Sequence, residues 1–235
     1  MLRAMRDAPP ALPADGGLGS LLSPPFVLGE GPFQIKGNAY RGHMSYVERF
    51  VPGGHAAQAE ALRSISAEQG ELLAAYFDQR FKISTWYDVY PLAIAGAACA
   101  QLTGEDFRTF VYNRTCVQAR EDIGGLHRFL LRFVSAKQIA VRMPGLMSRY
   151  FNFYEVESRA LDEHTLQTCF RGMPLPLMPW LQAVMEAYIV TVLEIAGSPR
   201  AHAEDIQVRL EGEAHGVPLC SSDSLLRFGA EPQLG

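Results

Sequence analysis

The stretch from about Pro144 to Gly229 constrains this chain most, because its apolar pattern changes period there. Upstream, apolar residues recur every three or four positions, which is helical spacing. Here they begin to alternate in twos, as strand residues do. The alternation predicts a strand over Tyr150–Leu161, a turn at Asp162–Thr165 and a second strand over Leu166–Gly172. A long apolar helix follows over Pro179–Ala196, with proline in its first turn and Gly197 and Pro199 beyond its end. A strand over Ile206–Glu211 and a short one near Leu225–Phe228 complete the pattern. Ile206, Val208 and Leu210 alternate with Gln207, Arg209 and Glu211, which gives one buried face and one wet one. The expected fold class is α+β. A helical N-terminal half precedes a small antiparallel sheet of about four strands, with one long buried helix between the strand pairs.

Residues 1–32 read as a flexible tail, rich in proline and glycine at Pro9-Pro10, Gly16-Gly17 and Pro24-Pro25. Such a segment buries too little apolar area to offset its ordering entropy. A single domain is expected over 33–229, with 230–235 as a flexible end. Helices are expected over Arg41–Phe50, His55–Ile65, a segment opened by the capping box Ser66-Ala-Glu-Gln69, Leu92–Leu102, and a segment from Asp106 to Ile123. Leu126–Val134 and a last segment opened by Ser135-Ala-Lys-Gln138 complete the helical half.

Charge and cysteine usage exclude several classes. A net charge of −4 with scattered basic residues argues against nucleic-acid binding, which depends on neutralising phosphates. Cys99, Cys116, Cys169 and Cys220 form no C-x-x-C pair, so no zinc site or disulfide framework follows, and four buried free thiols are expected. The apolar run around Met173–Ile195 is interrupted by Gln182, Glu186 and Glu194, so no membrane span is expected. No signal peptide is expected either, because Asp7-Ala-Pro-Pro breaks the N-terminal run. A cytoplasmic protein is the resulting expectation.

No catalytic motif nominates a reaction. There is no Gly-x-Ser-x-Gly, P-loop or His-Glu-x-x-His. His43, Ser45 and Glu48 fall on one short helix at spacings that do not converge. Glu155, Glu157, Asp162 and Glu163 read as a solvated hairpin face. Trp86, Tyr87 and Tyr90 form an aromatic cluster read as core or pocket wall, and Met173, Met178 and Met185 flank Trp180 at the start of the long helix. Trp86, Tyr87, Met178, Trp180, Met185 and Tyr188 are the candidate pocket residues.

Ile35-Lys-Gly37, Trp86-Tyr87 before a small-residue helix, Phe170-Arg-Gly-Met-Pro174 before the buried helix, and the closing Leu226-Arg-Phe228 carry a resemblance. Over about residues 33–229 the chain resembles a myxobacteria-associated family. Through it, the chain is similar to the superfamily of haem nitric-oxide/oxygen-binding domains, vinyl-4-reductase-like ligand domains and TRAPP tethering subunits. The resemblance implies a non-enzymatic module that senses a small apolar ligand or mediates protein interaction, with a second copy or a signalling protein as partner and no cofactor expected. One alternative it implies is a haem-dependent gas sensor with His127 as axial ligand. The other is a structural homodimeric adaptor without a ligand. Haem-binding members also use a Tyr-x-Ser-x-Arg motif for the propionates. Here that motif is missing, and Tyr154-Glu-Val-Glu-Ser-Arg159 has different spacing.

Overall fold

The computed structural model describes residues 18–123, 136–198 and 201–229. Eight helices lie among them. They are α1 (Leu18–Leu22), α2 (Gly37–Phe50), α3 (Gly54–Ile65), α4 (Gly70–Tyr76), α5 (Tyr90–Thr103), α6 (Phe107–Asp122), α7 (Ala136–Met147) and α8 (Met178–Ile195). Six strands accompany them: β1 (Gln34–Lys36), β2 (Trp86–Asp88), β3 (Glu155–Ala160), β4 (Thr165–Pro174), β5 (His202–Ala214) and β6 (Val217–Arg227). The α+β class expected from the sequence is the one observed. A helical half leads into a four-stranded antiparallel sheet of order β3-β4-β6-β5, and α8 connects β4 to β5.

Of the start signals in the sequence, Asp106 acts as expected, Ser66 bonds within the turn before α4 rather than at its cap, Gln69, and Ser135 lies outside the described residues. Ser66 Oγ accepts from the Gln69 amide at 3.2 Å just before α4. Asp106 caps α6 by accepting from the Thr109 amide at 3.0 Å, which satisfies one of the free N–H groups of the first turn. Helix α8 has Pro179 in its first turn and ends at Gly197 (φ +87°), where the Ser198 amide donates back to the Leu193 carbonyl. Twelve of its residues are buried, on all sides of the helix. Leu175–Ile195 is long and apolar enough to cross a membrane by length and composition, but 67% of that window is buried within the fold. The interruptions seen in the sequence therefore do not disqualify it. Its burial marks it as a core helix.

Four expectations are corrected. Packing begins well before residue 33: Leu21 is 1% and Leu28 3% exposed, within the core. The Gly29 and Gly31 amides donate to the buried carboxylate of Asp88, at 2.8 and 3.2 Å. A short sheet of β1 and β2, whose middle strand residue Ile35 also bridges Phe151, ties this segment down. The strand expected from Tyr150 starts only at Glu155, because Phe153 packs edge-on against both Phe151 and Tyr154, which tilt against each other, instead of the three alternating. The last two strands are far longer than expected. They form a hairpin closed by His215-Gly216, both at positive φ as a two-residue turn requires. Cys169 is only half-buried, whereas the other three thiols are buried, and all four are free.

Candidate functional site

Helix α8 passes between the sheet and the helical half, and a cavity lies on each side of it. The sheet-side cavity has a volume of about 50 Å³. Its floor is the inner face of the sheet: Thr168, Phe170 and Met173 from β4, Ser222 and Leu226 from β6, and Ile206 from β5. The antiparallel register places Thr168 opposite Ser224 and Leu166 opposite Leu226, so these side chains share one face. Gly172, at φ +74°, carries the bulge that turns Met173 inward. The roof is Met178, Gln182, Met185, Glu186 and Ile189 of α8. Glu186 is ion-paired with Arg108, which closes one edge.

The helical-side cavity has a volume of about 40 Å³. Trp180, Val184 and Tyr188 form the α8 wall, with Ile35, Met147, Tyr150 and Phe151 beside them. The opposite wall carries polar residues, Asn38 of α2 and Arg114, Thr115, Gln118 and Asp122 of α6, but the surface open to the cavity is almost wholly apolar. Gly42 permits this arrangement, since a Cβ there would stand 2.4 Å from Gln118 Cδ. Arg114 is 3% exposed and donates to Gln118 Oε1 at 2.8 Å and to Thr115 Oγ1 at 3.1 Å. Burial lowers its pKa to about 10. Burial also raises the Asp122 carboxyl, helped by Glu121, and it raises both Tyr150 and Tyr188.

Met178 and Met185 line the sheet-side cavity, and Trp180 and Tyr188 line the helical-side one. The six candidate pocket residues are therefore not brought together. Trp86 and Tyr87 line neither cavity. Trp86 is 36% exposed with Lys36 Nζ stacked 3.5 Å from its ring, and Tyr87 packs on Phe81 and Tyr40. Both belong to β2, and its pairing with β1 fixes them there. His127 lies outside the described residues. Sequence reading placed Arg114 on the amphipathic face of the helix from Asp106 with Phe107, Phe110, Val111 and Val117 but gave it no role, and it passed over Asn38. The signal available was a basic residue on the expected apolar face of the helix from Asp106.

The other titratable clusters are structural. His43 is buried, bonded through Nε2 to Gln58 Oε1 at 2.9 Å, and its pKa is lowered to about 3 by burial and then by the charge of Arg114. Glu48 turns instead to His55, so no triad forms with Ser45. The hairpin carboxylates are exposed, and Glu163 pairs with Lys137 at 2.6 Å. Among the described residues, no group of three or more His, Cys, Asp or Glu is placed to hold a metal ion.

The described residues alone do not make a haem site. Sites for even drug-sized ligands run to about 300–1,000 Å³, well above either cavity. Among the described residues, no histidine lines either cavity. Tyr154 is buried while Arg159 is exposed, so the nearest counterpart of a propionate motif is split between two faces.

No family model and no curated protein matches the sequence. Solved structures do match in fold. The Fe(II) unliganded H-NOX protein from K. algicida aligns over 86% of this chain and 100% of its own, with a TM-score of 0.53 and 9% identity. An oxygen-binding H-NOX domain related to soluble guanylate cyclases, in its oxygen complex, covers 86% and 100%, with a TM-score of 0.53 and 10% identity. A structure bearing on the molecular mechanism of H-NOX activation covers 83% and 97%, with a TM-score of 0.56 and 10% identity. The helical half, the four-stranded sheet and the helix between its strand pairs are thus shared with haem-NO-binding proteins, and the chain has the H-NOX fold.

Proposed function

We propose that this chain is a non-enzymatic small-molecule-sensing module built on the H-NOX fold. The supporting observation is coverage: the solved H-NOX proteins align over nearly their whole length. Ligand binding beside α8 would bias how the sheet sits on the helical half, and a second copy or a signalling protein would detect the change.

Two ligands are in contention. The neighbours named for Fe(II) and oxygen favour a haem-dependent gas sensor over the haem-free module that the sequence alone puts first. In that reading His127 would hold the group, as a neutral imidazole beside an apolar space. Haem would supply a gas-binding iron. The second reading is a small apolar ligand in the sheet-side cavity, favoured by the adaptable thioethers of Met173, Met178 and Met185 around it.

An absorption spectrum with native mass spectrometry, on protein expressed with haem precursor, separates the two. A Soret band and a haem mass increment, both lost in His127→Ala, are the expected result for the gas sensor. A colourless protein at its bare mass would sink that reading and leave the apolar ligand.

A further inference from the structure

Four cations gather where β1, β2 and the start of α2 meet. Lys36 and Arg41 are far from Arg80 and Lys82 in the sequence, and the fold closes that distance. Lys36 stands opposite Trp86 in the β1–β2 register. Its Nζ lies 3.5 Å from the Trp86 ring centroid and donates to the Ser84 carbonyl at 2.9 Å. The loop 82–86 is fastened to α2. The Gly37 amide donates to the Thr85 carbonyl at 2.9 Å and the Asn38 amide to the Ile83 carbonyl at 3.2 Å, which satisfies N–H groups of the first turn. Gly37 permits the approach, since a Cβ there would stand 2.2 Å from the Lys82 carbonyl oxygen. Arg41, one turn along α2 from Gly37, shares the face that meets the loop and leans back toward it. Phe81, between Arg80 and Lys82, is buried and stacks on Tyr40 at 4.3 Å, so the loop stands on a fixed base.

Two features separate this patch from the rest of the surface. Its charges are unanswered: Arg49, Arg63, Arg108, Arg120, Arg171 and Arg209 each pair with a carboxylate, whereas Lys36, Arg41, Arg80 and Lys82 form no ion pair among the described residues. Neither segment that builds the patch, 31–47 or 79–87, contains an Asp or Glu. Asp88, next in the chain, is buried with its carboxylate engaged by the Gly29 and Gly31 amides. Apolar side chains also project among the charges. Ile83 is 57% exposed and Trp86 36%, on a loop whose residues 82–86 are all exposed.

We propose that loop 82–86, with Lys36, Arg41 and Arg80 around it, is a docking surface for an anionic lipid membrane. Each cation near an anionic headgroup layer strengthens binding about fivefold. Ile83 enters the boundary between headgroups and acyl chains, and Trp86 lies at the headgroup level that indoles favour. Lys36 covers one face of the Trp86 ring, which suits a headgroup contact and not the stacking of a nucleic-acid base. The chain as a whole carries −4, so its other faces are turned away from such a membrane and the protein is oriented on it. The contact is peripheral and reversible, and none of the six side chains lines either cavity, so it does not depend on which ligand the module senses.

The test is co-sedimentation of the full chain with vesicles of phosphatidylcholine, alone or mixed with phosphatidylserine, at low salt, together with tryptophan emission. Trp180 is the other tryptophan and is 1% exposed, so a blue shift on binding reports Trp86. The expected result is sedimentation with the phosphatidylserine vesicles alone, a blue shift, and release as salt rises. Lys82→Glu exchanges an attractive charge for a repulsive one and should weaken binding about thirtyfold. Ile83→Ser should weaken vesicle binding about tenfold while leaving adsorption to soluble heparin unchanged. Both positions are exposed, so both variants should keep the wild-type urea midpoint; if one does not, the other carries the test. No sedimentation with phosphatidylserine vesicles overturns the surface. Vesicle binding that Ile83→Ser leaves unchanged, or that moves no tryptophan emission, overturns the lipid assignment in favour of a soluble polyanion or an acidic protein.

Discussion

The two sides of α8 differ in kind. Toward the sheet, Met178, Met185 and Ile189 face Phe170, Met173 and Leu226 through apolar, non-directional contact, with the Arg108–Glu186 ion pair at the edge. Toward the helices, Trp180, Val184 and Tyr188 face Arg114, Gln118 and Asn38, whose positions depend on named hydrogen bonds. One helix therefore borders an adaptable space and a specified one. Apolar packing tolerates exchange of one side chain for another of like volume. A buried polar network does not, because each lost partner leaves a desolvated group behind.

The largest expected effect comes from removing the side chain that anchors α8 on its specified side. Trp180 is 1% exposed and meets Phe151 edge-on, with ring centroids 6.3 Å apart. Trp180→Ala should destabilise the protein by about 3–5 kcal/mol through lost burial and the cavity left behind. Urea unfolding measures this. A loss below about 1 kcal/mol would mean that the helical side collapses as freely as the sheet side.

A smaller, pH-dependent effect reports on the same polar side. Burial, and then the charge of Arg114, lowers the folded pKa of His43 from 6.5 to about 3. Below pH 6.5 the unfolded chain takes up a proton that the folded one refuses. Stability from this group is thus intact above pH 6.5 and falls as pH drops toward 3, by about 1.4 kcal/mol per pH unit. Asp88 acts in the opposite sense. Burial raises its folded pKa, so the folded state holds its proton more tightly just above 3.8, and that contribution is lost as pH rises. His43→Gln keeps a donor toward Gln58 and carries no titrating ring. Its stability, measured by urea unfolding from pH 7 to 4, should decline less steeply than wild type. Parallel profiles would show that His43 is solvated in the folded state.

The sequence made the sheet-side architecture legible and most of the helical side illegible. Pro179 and Gly197 bracketed α8, and the alternation at Leu166–Phe170 marked a strand whose faces the structure keeps apart; in β5, an edge strand with two register shifts, only Val208 of the expected buried face is buried, while Ile206 and Leu210 are 39% and 61% exposed. The β5–β6 hairpin was mostly hidden, because Ser221-Ser222-Asp223-Ser224 reads as a loop. In the sheet, Ser221 and Ser222 are buried opposite Arg209 and Val208, where small size matters more than polarity. Likewise Gly29 and Gly31 read as tail residues until Asp88, 57 residues from Gly31, supplies the acceptor. Arg114 shared its helix face with Phe110 and Val111 in the sequence, but its burial was hidden for the converse reason. A basic residue on a helix is ordinarily placed in water, and only tertiary contact with Asn38 and α8 reveals it as buried.

The smallest expected effect tests the adaptable side directly. Met185 lines the sheet-side cavity and is 7% exposed, so it makes many contacts but no hydrogen bond on which others depend. Met185→Leu conserves volume and loses only flexibility, and should cost less than about 1.5 kcal/mol. The matched change on the other side, Gln118→Leu, also roughly conserves volume but strands Arg114 Nη1 without its acceptor. It should cost more than Met185→Leu in the same urea experiment, since a buried donor left unpaired pays its full desolvation. Equal costs would mean that solvent reaches Arg114 and compensates the loss. The asymmetry across α8 would then be one of shape alone.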